Sequence, residues 1–298
     1  MKLLICYDGS DCADAALADL QRAGLPRAVE AVVISVAEQW LPPPTSGYEI
    51  VEESFAEGIV GGVIEAERQA SEAVKAANGL ALQASKVVQS LFTTWSVGAE
   101  AYSGSPAREI LRKASEWEAD LIAVGSHGRS ALGRLILGSV SQRVVTDASC
   151  SVRVARHQPK EKDFPARIII GIDGSSGSES AVRAVAARTW PKASEARLIT
   201  SADPLHIYAV APQDKFAFLR SIHKAAESVL RSAGLQVTSL IEEEDPKILL
   251  ISEAERWNAD AIFVGARGLS RIGRFLLGSI STAVVARAHC SVEVVRSQ

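Results

Sequence analysis

Two glycine-bearing stretches carry residue types and spacings suited to holding an anion. Gly125-Ser126-His127-Gly128 is followed by Gly138-Ser139-Val140-Ser141, and Gly265-Ala266-Arg267-Gly268 by Gly278-Ser279-Ile280-Ser281. Each stretch follows an apolar run, Leu121–Val124 or Ala261–Val264, that reads as a buried strand. Each precedes apolar residues at helical spacing: Val140, Val144, Val145 and Ala148, or Ile280, Val284, Val285 and Ala288. A strand that enters a glycine loop and then a helix N-terminus suits phosphate. Glycine lets the backbone approach the ligand, and unpaired N–H groups with the positive end of the helix dipole attract negative charge. Ser139 and Ser279 are placed to cap the helix or to donate to a phosphate.

The two copies are part of a duplication. Ala119–Arg156 and Ala259–Arg296 agree at 21 of 38 positions at an offset of 140. The beginnings also match, Leu3–Ser10 against Ile168–Ser175, but at an offset of 165, so the first half carries about 25 residues more. That insertion is expected around Trp40–Gly62, where Pro42-Pro43-Pro44 and several glycines interrupt regularity. The expected units are residues 1–157 and 166–298, joined by a charged, proline-bearing linker over 158–165.

Each half alternates strands and helices. In the first, strands are expected at Leu3–Tyr7, Ala31–Val36, within Phe92–Tyr102, at Leu121–Val124 and at Val152–Ala155. The helices between them fall near Asp11–Gly24, Ile59–Ser90 (with breaks at Gly61-Gly62 and Asn78-Gly79) and from Ser105-Pro106 to Glu118, where serine caps and proline opens the first turn. The second half repeats the series with strands Arg167–Ile172, Arg197–Thr200, Gln236–Ile241, Ala261–Val264 and Val292–Val295, and helices near Ser178–Thr189, Gln213–Ala233 and Pro246–Trp257. Short buried strands separated by helices predict an α/β fold: two tandem five-stranded parallel sheets with helices on both faces. Ligands of such sheets bind beyond the carboxyl ends of the strands, where strand order reverses. Asp8 and Asp173 end the first strands, and the glycine loops end the fourth. Neighbouring first and fourth strands put acid and loop in one crevice.

Composition narrows the partners. The chain of 298 residues is 47% hydrophobic and 22% charged with a net charge of −3, as in a soluble globular protein with no electrostatic call for nucleic acid or an anionic membrane. No apolar run approaches the ~18 residues that span a bilayer. Met1–Asp8 turns polar too soon for a signal peptide and reads as a first strand, so a cytoplasmic location is expected. Cys6, Cys12, Cys150 and Cys290 form neither a disulfide frame nor a metal-binding spacing; Cys150 and Cys290 are expected to be small core residues.

These residues resemble the universal stress protein family in tandem form, whose motif Gly-x2-Gly-x9-Gly-Ser/Thr is matched by Gly125/Gly128/Gly138-Ser139 and by Gly265/Gly268/Gly278-Ser279. The resemblance implies strand order 3-2-1-4-5 and ATP, with Mg2+, between strands one and four. It implies that Asp8 and Asp173 lie near adenine and ribose, and that the backbone of Val36 meets adenine. Val124 and Gly125, with Val264 and Gly265, would line the ribose side. Gly128, Gly138, Ser139, Val140 and Ser141 would cradle phosphates, as would Gly268, Gly278, Ser279, Ile280 and Ser281. The sequence departs from the pattern at Ser201, which stands where Val36 stands in the first half, and at Ser151 and Ser291, where proline is common.

Plainer readings accompany these. Asp8 and Asp173 also suit turn formation, with Ser10 and Ser175 free to cap. His127 is expected to face solvent from its loop. Arg129, Arg134, Arg267, Arg271 and Arg274 are expected to be solvated, and Trp117 and Trp257 to pack. The apolar fifth strands offer edges for an intrachain pseudo-dimer, and two chains could associate further. The functional expectation is a nucleotide-responsive stress module with at most slow ATP hydrolysis. Its alternative is a partner-binding protein whose motif is a relic.

Overall fold

The chain's computed structural model describes residues 1–38, 53–128, 137–156, 164–203, 215–268 and 277–297. The Pro42–Pro44 loop, Gln213, linker positions 158–163, and Arg129, Arg134, Arg271 and Arg274 lie outside the described residues. The first half runs β1 (Lys2–Cys6), α1 (Asp11–Asp19), β2 (Glu30–Glu38), α2 (Glu53–Leu91), β3 (Ser96–Gly104), α3 (Pro106–Glu116), β4 (Leu121–Gly125), α4 (Ser139–Asp147) and β5 (Ser151–Ala155). The second runs β6 (Arg167–Gly171), α5 (Ser176–Ala186), β7 (Glu195–Ser201), α6 (Lys215–Ser232), β8 (Gln236–Glu242), α7 (Pro246–Arg256), β9 (Ala261–Gly265), α8 (Ser279–Arg287) and β10 (Ser291–Val295).

Each half is a parallel sheet of order 3-2-1-4-5, and the two join edge to edge as β3-β2-β1-β4-β5-β10-β9-β6-β7-β8. β5 and β10 pair antiparallel, with Val154 opposite Val292, Arg153 opposite Glu293 and Val152 opposite Val294. The expected contact edges are thus the seam of one ten-stranded sheet. On one face, α3, α4, α7 and α8 bury a single apolar layer that crosses the seam, including Val144, Val152, Val284 and Val292. On the other face each half keeps its own core, under α1 and α2 in the first and under α5 and α6 in the second.

Two local expectations are corrected. The long helix breaks neither at Gly61-Gly62 nor at Asn78-Gly79; α2 is continuous over 39 residues and starts six residues before Ile59. Glycine inside a helix costs only about 1 kcal/mol relative to alanine, which a helix this long, packed along β2 and β3, can absorb. Ser105 sits at the N-cap of α3 in extended conformation, but its side chain makes no capping bond. In the second half Asp245 does cap, accepting from the Lys247 N–H at 2.7 Å.

The seam holds polar groups that the sequence pattern hides. Arg153 lies 2.5 Å from Asp19 and 3.4 Å from Glu293, and Glu293 also pairs with Arg188. Arg153 and Glu293 are each only 1% exposed, so each charge depends on its partners. Ser151 and Ser291 have matching tasks across the seam: their hydroxyls accept the backbone N–H groups of Arg296 and Arg156, both at 3.1 Å. All four cysteines are free thiols; burial pushes Cys150 up to about 11 and Cys290 up to about 12, so both stay protonated.

Candidate functional site

The site begins with the pairing of β1 and β4, Leu3 against Leu121 through Ile5 against Ala123, which is where strand order reverses. Beyond β1, Asp8 folds the turn: its Oδ1 accepts the Ser10 N–H at 3.0 Å. Ser10 in turn caps α1, its Oγ accepting the Ala13 N–H at 3.2 Å. The turn-forming role of Asp8 is therefore real, and it uses one carboxylate oxygen. The other oxygen faces the glycine loop, where a Cβ added at Gly128 would stand 3.0 Å from it. At Gly125 a Cβ would meet the Cys12 carbonyl oxygen at 2.6 Å, so only glycine lets α1 close on the end of β4.

The loop is tied to α4 by two bonds. The Gly138 N–H donates to the Ser126 carbonyl at 2.8 Å, and the Ser141 Oγ donates to the Gly125 carbonyl at 2.7 Å. Ser141 is buried, and its proton is committed to holding the loop. The N-cap of α4 is Gly138 with no side-chain cap; Ser139 is the exposed first helical residue and does not cap. The N–H groups of Ser139, Val140 and Ser141 have no intrahelical acceptor, by the geometry of a first turn. They crown the end of β4 with positive potential.

All nine first-half residues singled out in the sequence (Asp8, Val36, Val124, Gly125, Gly128, Gly138, Ser139, Val140 and Ser141) line one cavity of about 610 Å3. That is a size suited to a small-molecule ligand. Its character changes along its length. Ile34 and Val36 of β2 and Ala73, Ala76, Ala77 and Leu80 of α2 line an apolar end, while Asp8 and the loop–helix junction form a polar end. The sequence reading missed the α2 wall. Its signal was there, alanines at positions 73, 76 and 77 on one helical stripe, but it looks like any core-facing stripe until β2 lies opposite.

His127 corrects the sequence reading most. It is buried rather than solvent-facing and lines the same cavity. Its Nδ1 is 3.0 Å from the Ser126 Oγ, and its Nε2 is buried without a partner. Burial, then the Arg156 guanidinium, lowers its pKa, so the imidazole is neutral at neutral pH. Its counterpart Arg267 is exposed, as expected.

The second half builds the same junction. Asp173 Oδ1 accepts the Ser175 N–H at 2.9 Å, and Ser281 Oγ donates to the Gly265 carbonyl at 2.7 Å. The Gly278 N–H donates to the Ala266 carbonyl at 2.8 Å. A Cβ at Gly268 would stand 2.6 Å from Asp173 Oδ2. Val264 is buried, Ile280 is half-buried and packs on the shared layer, and Ser279 opens α8 exposed.

A tandem parallel α/β sheet with a glycine-loop and helix-N-terminus junction at each switch point defines the class. The family model described as "Universal stress protein family" matches residues 1–156 and 166–296, and the chain belongs to that family. A universal stress protein of Mycobacterium tuberculosis is 27% identical over 310 residues, spanning 99% of this chain and 96% of that protein. One from Thermus aquaticus is 32% identical over 154 residues, 52% of this chain and 97% of its own. The crystal structure of a universal stress protein from Archaeoglobus fulgidus DSM 4304 superposes with a TM-score of 0.64 at 21% identity, covering 99% of this chain and 98% of that one.

Proposed function

We propose that the first half binds an adenine nucleotide, ATP with Mg2+, in the crevice between β1 and β4, and that occupancy makes the chain a nucleotide-responsive stress module. The observation that carries this reading is the two-ended cavity of about 610 Å3. A flat heteroaromatic ring suits the apolar end, which is lined by Ile34, Val36 and the small residues of α2. A polyphosphate suits the junction of Gly128 with α4, where N–H groups and the helix dipole favour anions. Asp8 is positioned for ribose hydroxyls, since a carboxylate accepts from both members of a diol. The buried, unpartnered Nε2 of His127 gives the cavity one further polar contact.

Among the described residues no group of three or more His, Cys, Asp or Glu could hold a metal. Mg2+ would therefore be held mainly by phosphate oxygens and water, as it commonly is. Hydrolysis is expected to be slow at most, since the sequence offers no convincing catalytic base for water and no Gly-Lys-Ser/Thr phosphate loop. The test is calorimetric titration of the full chain and of Gly128→Glu. The glutamate sets bulk and charge beside Asp8 and against the phosphates, so binding in the first half should disappear with the fold intact. Equal binding by both proteins would reject the site.

A further inference from the structure

We infer that the second half's equivalent crevice is filled by its own helix α6, so that the chain takes up a single nucleotide, in the first half. The inference rests on the nucleotide reading above for what the first half binds, but not for what fills the second.

The register of the two helices sets the comparison. Buried residues fall at Ala77, Ala81, Ala84 and Val88 on α2 and at Leu219, His223, Ala226 and Leu230 on α6, with the same spacing of four, three and four. The cavity wall formed by Ala73, Ala76, Ala77 and Leu80 therefore corresponds to Lys215, Phe218, Leu219 and Ile222. Three methyl side chains in the first half become an alkylammonium, a phenyl ring and an isobutyl group in the second.

These larger groups occupy the place of the apolar end. A Cβ at Gly174, in the turn after Asp173, would meet Phe218 Cζ at 3.1 Å and Ile222 Cδ1 at 3.6 Å, so both side chains lie over that turn. The Lys215 side chain is buried, and its Nζ donates to the Ala202 carbonyl. The Tyr7 N–H bonds to Ile34 O and the Ile172 N–H to Ile199 O, each at 2.9 Å, which makes Ser201 the counterpart of Val36 and Ala202 that of Ala37. The edge that would meet a heteroaromatic ring is thus already engaged by a lysine. Ser201 is also committed: its hydroxyl donates to the Glu244 carbonyl and accepts the Asp203 N–H at 3.1 Å. Behind it, His223 Nε2 lies 2.8 Å from Thr200 Oγ1, at the positions that Ala81 and Ser35 hold in the first half.

The experiment counts sites with Mg-ATP in full-length chains whose folding is verified by thermal unfolding. Wild type should bind one equivalent and Gly128→Glu none, whereas Gly268→Glu should still bind one. The double variant Lys215→Ala/Phe218→Ala, which copies Ala73 and Ala76, should gain a second equivalent. Two equivalents in wild type, or loss of a site in Gly268→Glu, would overturn the inference. A folded opening variant that stays at one equivalent would also overturn it. Should that variant not fold, the converse Ala73→Lys/Ala76→Phe decides at partly exposed positions: it should abolish first-half binding, and retained binding overturns the inference. Wild type without binding but an opened variant with one equivalent would sink the first-half reading while supporting the filled second half. No binding in either would sink both.

Discussion

At Gly128 the absence of a side chain decides what the loop can hold. The Asp8 carboxylate already stands where a Cβ would crowd it, at 3.0 Å, so any larger residue must shift the acid. His127 beside it makes a pH prediction together with His223. Burial lowers both pKa values, helped at His127 by Arg156 and opposed at His223 by Glu227. The unfolded chain, with histidines near the ordinary 6.5, then binds more protons than the native state below that value. Stability should be flat above about pH 7.5 and fall as pH drops below about 6.5. Urea unfolding across that range should show the loss, and His223→Gln should flatten part of it. A stability unchanged between about pH 7.5 and pH 5.5 would count against both buried imidazoles.

Among the elements, α4 does the most at the site, and it does so with backbone. Its first three N–H groups lack intrahelical partners, and no side chain caps it. Proline is tolerated at the first helical position, and Gly138 before it is already extended, with ψ 152. Ser139→Pro should therefore leave the melting temperature unchanged while removing one N–H and one hydroxyl donor. Nucleotide affinity should fall about tenfold, or about 1.4 kcal/mol. A lowered melting temperature with unaltered affinity would mean that this turn is structural only. At this scale the sequence was readable where one chemistry dominates. The runs Leu121–Val124 and Ala261–Val264 had to be buried strands, and the glycines after them had to turn. Tertiary placement hid the rest. His127 looked like a polar loop residue until the fold buried it against the cavity, and the uninterrupted α2 depends on packing that overrides its glycines.

For the whole molecule, the seam between the halves is what duplication allowed to diverge. β5 reads Ser-Val-Arg-Val and β10 Ser-Val-Glu-Val, and the antiparallel register sets Arg153 against Glu293. Two copies of β5 in the same register would oppose two buried arginines, so the pair favours joining unlike halves over like ones. Removing one partner leaves the other charge buried. Glu293→Gln leaves Arg188 without its acid and Arg153 with Asp19 alone, and should cost about 3–5 kcal/mol in chemical denaturation; Arg153→Met strands Asp19 and should cost a similar amount, and the double variant Arg153→Met/Glu293→Gln should cost less than the sum of the two. Equal, additive losses would show that the two charges are not coupled. The serines flanking these strands were legible only as departures from the family pattern. The structure gives them a task, since proline has no hydroxyl to accept the opposing Arg156 or Arg296 N–H. Among the described residues no helix is long and apolar enough to cross a membrane.

We propose that the crevice between β1 and β4 of the first half takes an adenine nucleotide. Calorimetric titration of nucleotide-stripped full-length protein with Mg-ATP, with GTP as control, decides this. ATP binding should be saturable, raise the melting temperature, discriminate against GTP and vanish in Gly128→Glu. No heat and no thermal stabilisation with any adenine nucleotide would contradict it, and would leave a partner-binding protein whose glycine loops are relics.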